Sequence, residues 1–254
     1  MSSLENGLKI LTLITEDRTV LRVSEVCRDL DIPKASVSRL LRTLADFHLL
    51  ERDDRDSSYV AGGRALDLAR AYLARHGLLD LIEEAVVALV DEFGFTGHAG
   101  IVVGDERVLL IARQGSFPLQ HIAAVSQRRP AFESIIGRAI LARSADNDVL
   151  SQLGYGSLDE VRHKFSGRDI LAEIAEIRRT RISHSLSLMT PGIGSVGAAV
   201  ADPGRGETMG FCLSYPSAAT DEALRKRMAE AVFKQASAIG AKLRDPLWTS
   251  DPPP

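Results

Sequence analysis

Between Lys34 and Arg42 the sequence KASVSRLLR carries three positive charges, Lys34, Arg39 and Arg42, two hydroxyls, Ser36 and Ser38, and no acid. A helix whose first turns bear small or polar side chains can enter a major groove and bring them to base edges. On that chemistry Lys34 and Ser36, at the helix start, suit phosphate or base contacts. Ser38 and Arg39 suit base readout, and Arg42 suits the flanking backbone. Arg55, in the turn-forming run DRDSS, would sit at the tip of a hairpin and reach an adjacent minor groove. A solvated charged face is the bland alternative, and only a turn and helix phase that aim these residues together outweigh it.

Other chemistry-bearing patterns fail on context. Gly192 to Gly197 spells GxGxxG, but AAVAD and Pro203-Gly204 follow, a strand entering a turn, where the dinucleotide fingerprint requires a helix. Those glycines fit close backbone approach or a bulge better. Ile193 occupies the place of the first glycine that a GxSxG elbow around Ser195 would need. His98, His121, His163 and His184 lack zinc-ligand spacing, so no metal is expected. Cys27 and Cys212 lie far apart and outside any CxxC, so no disulfide framework is indicated. A buried thiol is the commoner reading for Cys212 than a redox sensor. No cofactor is expected.

Elements must position these groups. Leu4, Leu8 and Leu11 predict an amphipathic helix over residues 4 to 16. Val23, Val26, Cys27 and Leu30 predict a second, with Ser24 as its cap, and Asp31-Ile32-Pro33 interrupts it. A third helix begins at Lys34 with Val37, Leu40, Leu41 and Leu44 inward. HLLERD and YVAG then read as a two-stranded ribbon. Helix, helix, turn, helix and ribbon make a winged helix-turn-helix over residues 1–62, followed by a linker helix over 63–77.

The texture changes over residues 78–254. A helix through GLLDLIEEAVVALVDEF precedes two β-rich runs around Gly104-Asp105-Glu106, and PLQHIAAVS reads as a third extended run. ESIIGRAILARSA is helical, with Ser134 as its cap, and its N-terminus could present free N–H groups to a polar ligand head. Further helices are expected near 146 to 153 and 169 to 181. SHSLSLM, SVGAAVAD and TMGFCLSY follow as strands, and a last helix covers about 220 to 243. The tail DPLWTSDPPP is too proline-rich to extend it and is expected to be mobile. The fold class is therefore α+β, an N-terminal winged helix-turn-helix with a C-terminal α/β sandwich around a mainly antiparallel sheet.

Composition bounds what these parts can do. The chain has 254 residues, 45% of them apolar and 26% charged, which excludes wholesale disorder and fibrous architectures and allows two cores. No apolar run approaches a membrane span, and Glu5 spoils a secretory signal, so a cytoplasmic protein with no membrane partner is expected. The net charge of -3 does not exclude DNA, because residues 1–77 balance 12 Lys+Arg against 12 Asp+Glu while 78–254 carry 19 against 22. Placement of charge decides, not its sum.

The order of parts resembles the IclR (isocitrate lyase regulator) family of bacterial transcription factors over nearly the whole chain. LDIPKASVSRLLRTLADFHLLERD is similar to the family's helix-turn-helix. RRPAFESIIGRAILA is similar to its Pro, small-residue and Gly-Lys segment, with Arg138 for the usual Lys. MTPGIGSVGAAVAD matches its Pro-Gly and strand. The resemblance implies a C-terminal effector-binding domain related to GAF folds, and homodimers or dimers of dimers. It also implies a ligand surrounded by apolar Ile135, Ile136 and Ile193 and by polar Ser185, Ser195, Cys212 and Ser214. Ser185 stands where some members carry an acid that helps hold oxo-acids, so no known effector carries over.

The expected function is a ligand-responsive regulator, repressor or activator, that binds a double-stranded DNA operator, is controlled by a small organic or aromatic acid, and has RNA polymerase as a further candidate partner. The chain is not expected to be an enzyme. The rival readings are a small-molecule enzyme with a DNA-binding appendage and a sensor acting through protein contacts.

Overall fold

The computed structural model describes residues 2–15, 18–75, 77–121, 123–156, 160, 169–186 and 190–250. The chain divides into two compact units, Met1–His76 and Gly77–Pro254.

In the first unit, α1 (Ser3–Thr12) starts where the Ser2 hydroxyl accepts the Glu5 N–H at 3.1 Å. It stops earlier than its apolar period suggests: residues 13–15 are not helical, and 16 lies outside the described residues. The short strand β1 (Val20–Leu21) follows, unforeseen because two residues carry no period. The second helix, α2 (Val23–Leu30), is entered from Arg22, so Ser24 lies inside its first turn and is not the cap. Asp31 ends α2 in the left-handed region, φ 52° and ψ 46°, a conformation Asp tolerates better than most side chains. Pro33 then starts α3 (Lys34–Asp46). Strands β2 (Leu50–Arg52) and β3 (Tyr59–Ala61) form the ribbon, and β1 joins the far edge of β3 in an antiparallel sheet of order β1-β3-β2. Ile10, Leu21, Val26, Val37, Leu40, Leu41, Leu50 and Tyr59 make one core, which orients α3. The helix α4 (Arg64–Arg75) closes the unit.

In the second unit, α5 (Gly77–Phe93) leads into the hairpin β4 (Thr96–Val103) and β5 (Glu106–Arg113). The third strand of this region is β6 (Arg128–Pro130), not the expected PLQHIAAVS, whose described residues form a loop that returns to β5. After a 3-10 turn come α6 (Ile135–Leu141), α7 (Asp146–Gln152), α8 (Ile170–Thr180), β7 (Ser183–Leu186), β8 (Ile193–Asp202), β9 (Glu207–Pro216) and α9 (Glu222–Leu243). Residues 187–189 of the expected SHSLSLM strand lie outside the described residues. The six-stranded sheet is antiparallel throughout, in the order β6-β5-β4-β9-β8-β7.

Successive side chains of a strand point to opposite faces. Val196, Ala198 and Val200 of β8 and Met209, Phe211, Leu213 and Tyr215 of β9 therefore join one core with Leu78, Ile82, Val86 and Leu89 of α5 and Met228, Val232 and Ile239 of α9. The alternate positions are small. A Cβ at Gly197 would lie 2.4 Å from the Phe211 carbonyl oxygen and 2.9 Å from Ile135, so α6 can cross this face only because glycine is there. Gly194 meets the Tyr215 ring in the same way, at 2.4 Å. Gly194 and Gly197 thus serve close packing within a strand, while Gly192, at φ 79°, takes the left-handed turn before it.

The C-terminal segment is partly ordered, contrary to the expectation of a mobile tail. Pro246–Thr249 forms a short helix, α10, entered through Asp245, and Trp248 is buried with its indole N–H on the Ala199 carbonyl at 2.9 Å. Residues 251–254 lie outside the described residues. Asp245 is fully buried. It accepts from the Arg143 guanidinium at 2.6 Å and from the Ala201 and Leu247 N–H groups at 2.8 and 3.1 Å. Asp245→Ala would strand Arg143 and the Ala201 N–H, so we expect a loss of about 3–5 kcal/mol. Urea unfolding followed by the fluorescence of the single tryptophan measures it.

Candidate functional site

The first candidate surface is α3. Val37, Leu40 and Leu41 hold its inner face in the core. Lys34, Arg39 and Arg42 are exposed opposite, and Ser36 and Ser38 flank them half-buried. Several other cations of this unit face carboxylates, while Arg52 bonds the Ser57 hydroxyl at 2.8 Å. Arg18 pairs with Asp29 at 2.6 Å, Arg22 with Asp56 at 2.9 Å and Arg64 with Asp67 at 3.1 Å. Among the described residues, Lys34, Arg39 and Arg42 have no carboxylate partner. Arg55 lies in the loop between β2 and β3, but its guanidinium is folded back onto both Asp53 oxygens at 3.0–3.1 Å. Arg55 is exposed and Asp53 only half-buried, so the pair is weak and a phosphate can compete for it.

The second candidate surface is a cavity between α6 and the small-residue face of the sheet. It holds about 530 Å³ of atom-free space, partly open to solvent. A compact ligand is the scale it suits. The structure brings Ile135, Ile136, Ser185, Ile193, Ser195, Cys212 and Ser214 together on its wall. The register explains how: Ser185, Ser195 and Ser214 lie side by side on β7, β8 and β9, and Cys212 is two residues from Ser214 on the same face. The Ser195 and Ser214 hydroxyls are 2.9 Å apart.

Four polar lining groups were not singled out for this role from the sequence. They are His98 on β4, Arg107 on β5, His121 in the loop before β6, and Thr190. Arg107 carried one readable signal, a cation at an inward position of the apolar run ERVLLIAR. Burial, helped by His121 and Arg107, pushes the His98 imidazole down to about 3. His121, packed edge-on against His98 with ring centroids 5.6 Å apart, is lowered for the same reasons, burial first and then Arg107. Burial pushes the Cys212 thiol up to about 12 against the opposing pull of Ser214 and Arg107, which suits an unreactive thiol and not a redox sensor.

Ser134 caps α6, but its hydroxyl accepts the Gly137 N–H at 2.9 Å and donates to the Ala131 carbonyl at 3.1 Å. The helix end is therefore partly satisfied, and Arg107 is the stronger attraction for an anion. The Ser214 hydroxyl lies 3.4 Å from His98 Nδ1, longer than a nucleophile–base hydrogen bond, and no carboxylate orients the far ring nitrogen among the described residues. No three His, Cys, Asp or Glu side chains cluster to hold a metal among the described residues. His163 lies outside them.

The profile of the IclR helix-turn-helix domain matches residues 3–54, and that of the bacterial transcriptional regulator IclR C-terminal domain matches residues 70–241. The chain belongs to the IclR family of bacterial transcriptional regulators. This is a family of helix-turn-helix DNA-binding proteins with a C-terminal effector-binding domain. The IclR-family regulator BhcR of Paracoccus denitrificans is 24% identical over 236 residues, 92% of this chain and 84% of that protein. The transcriptional repressor IclR of Escherichia coli is 22% identical over 227 residues, 87% and 83% of the two chains. A solved IclR transcriptional regulator from Silicibacter sp. superposes with a TM-score of 0.81 at 19% identity, over 99% of this chain and 98% of that one. An IclR homologue from Microbacterium hydrocarbonoxydans, solved in complex with 4-hydroxybenzoate, gives 0.76 at 17%, over 96% and 99%. These IclR folds share the α+β design described above. Among the described residues, no helix is long and apolar enough to cross a membrane.

His98 makes the IclR-type cavity pH-sensitive in stability. The unfolded chain binds a proton at His98 near pH 6.5 and the folded chain only near 3, so this group's contribution is complete above 6.5 and is lost as pH falls toward 3. His98→Phe should flatten the acid-side fall in unfolding free energy by up to about 1.4 kcal/mol per pH unit between roughly pH 6 and pH 4. Urea titrations at stepped pH measure the slope, and an unchanged slope counts against a neutral buried His98.

Proposed function

We propose that this chain is a ligand-responsive regulator that reads a double-stranded operator with α3 and responds to a small organic or aromatic acid bound in the α6 cavity. The observation that carries the reading is the group of three cations without a carboxylate partner on the outer side of a helix whose inner face is held in the core, in a unit where Arg18, Arg22 and Arg64 are paired. Lys34 and Ser36 serve phosphate or base contacts, Ser38 and Arg39 base edges, Arg42 the flanking backbone, and Arg55 the minor groove once released from Asp53.

In this reading residues 1–62 bind DNA, 63–77 link, and 78–254 bind the effector and assemble the oligomer. Leu4 and Leu8 of α1 and Leu66 and Leu68 of α4 are exposed apolar side chains that suit pairing with a second copy. A homodimer, or a dimer of dimers, then offers two recognition helices to half-sites about one helical turn apart or a multiple of it. The complex of the Microbacterium homologue with 4-hydroxybenzoate supports an aromatic acid as one effector class. A ligand acts only through different affinities for the DNA-competent and incompetent arrangements. Transcription in vitro with RNA polymerase separates repression from activation.

Arg39→Ala should weaken operator binding by about tenfold or more while the fold and oligomer stay intact. Gel-shift titration against an operator recovered from genomic fragments measures this, and unchanged affinity removes Arg39 from the reading set. Ser195→Leu should fill the cavity. The full-length variant is expected to bind the operator normally and to lose its response to the effector, and a normal response would take Ser195 off the ligand wall.

A further inference from the structure

We infer that Arg107 is the charge anchor of the cavity and that the cavity selects a monocarboxylate with one neutral hydrogen-bonding group, against dianions and uncharged analogues. The inference rests on the proposed reading of the cavity as the effector site, and it adds which residue holds the ligand and what charge the ligand carries.

Arg107 is buried, 4% exposed, and lines the cavity from β5. Its Nη1 donates to the Gln127 carbonyl at 3.2 Å, which fixes the guanidinium without neutralising it. Among the described residues it has no carboxylate partner. Buried Arg138 pairs with Glu173 at 2.8 Å and half-buried Arg143 with Asp245 at 2.6 Å, whereas buried Arg181 is held by the Ser250 carbonyl at 3.0 Å and the Trp248 ring at 5.8 Å. A guanidinium does not shed its proton, so a buried one without a counter-charge is costly until an anion reaches it.

The rest of the wall limits that anion to one charge. No Asp, Glu or Lys is among the described lining residues. Burial and the Arg107 charge hold His98 and His121 neutral, and burial keeps Cys212 a thiol, so the wall supplies neither a second cation nor an internal anion; Arg129, cross-strand from Arg107, is exposed and not part of the wall. A second carboxylate would be buried against neutral rings and hydroxyls. One neutral polar atom is left wanting: His98 Nε2 is buried and has no hydrogen-bond partner, on a side chain 3% exposed. His98 stands beside Cys212 across β4 and β9, whereas Arg107 stands beside Val102, so their backbones are about 13 Å apart along the strands. The ligand's carboxylate and its neutral hydrogen-bonding group therefore meet separate residues, reached from β5 and β4.

The test uses the full-length native protein near neutral pH, where all the acids are ionised. Thermal shift and calorimetry compare 4-hydroxybenzoate with 4-hydroxybenzamide and terephthalate, and 3-hydroxypropanoate with 3-hydroxypropanamide and malonate. In a series that binds, the hydroxy-monocarboxylate is expected to exceed both its amide and the dicarboxylate by about tenfold or more. Arg107→Met should erase the preference for acid over amide, Arg107→Lys should restore part of it, and ligand-free Arg107→Met should melt no lower than the native protein, since a buried unpaired charge has been removed. Amide or dicarboxylate binding within about threefold of the monocarboxylate on the native protein overturns the charge selection and leaves the effector reading standing. Silence from all six probes overturns both.

Discussion

The antiparallel pairing of β8 with β9 sets the design of the C-terminal unit, because alternation leaves no freedom in where their side chains go. On one face Val196, Ala198, Val200, Phe211, Leu213 and Tyr215 pack against α5 and α9. On the other, Gly197, Ser195, Cys212 and Ser214 are small enough for α6 to come close and still leave space beside it. Core and cavity are thus two consequences of one register. A slip by one residue would turn aromatic rings into the cavity and hydroxyls into the core.

The molecule treats its cations in two ways. Where structure is needed they are paired and held: Arg143 with Asp245, Arg138 with Glu173, Arg18 with Asp29. Elsewhere they have no carboxylate, in water on α3 and out of water at Arg107, the two places where the proposed reading puts a partner. The difference in burial sets the consequence. Exposed charges on α3 cost little while empty, and attract a polyanion whose affinity falls with salt. A buried guanidinium costs free energy while empty and returns it to a ligand of matched charge. Burial first, with the Arg107 charge added to it, keeps both histidines neutral.

Much of the candidate site was legible, for definite reasons. The phase of α3 followed from Val37, Leu40, Leu41 and Leu44, and its entry from Asp31 and Pro33. The seven cavity positions expected from the family resemblance do converge, because the Pro-Gly and strand segment that carries the resemblance is β8 itself. What stayed hidden lies on β4 and β5. His98 was set aside for want of metal spacing, and Arg107, one charge inside an apolar run, drew no reading. Whether an inward face of a strand meets a packed core or a cavity is not written in its alternation. PLQHIAAVS failed for a related reason: its β propensity is real, but β5 is paired by Arg128–Pro130 instead, and the run is used as a loop that brings His121 and Ala123 to the cavity.

Local periodicity, turn chemistry and the placement of three cations determined the two-unit α+β plan and the helix that faces outward, since these depend on residues near one another in the chain. The ordering of the C-terminal segment by Asp245 and Trp248, the collection of Arg107, His98 and His121 around one space, and their states of charge were decided by the tertiary structure alone. Each depends on which distant groups exclude water from which others, and desolvation has no signature in a linear sequence.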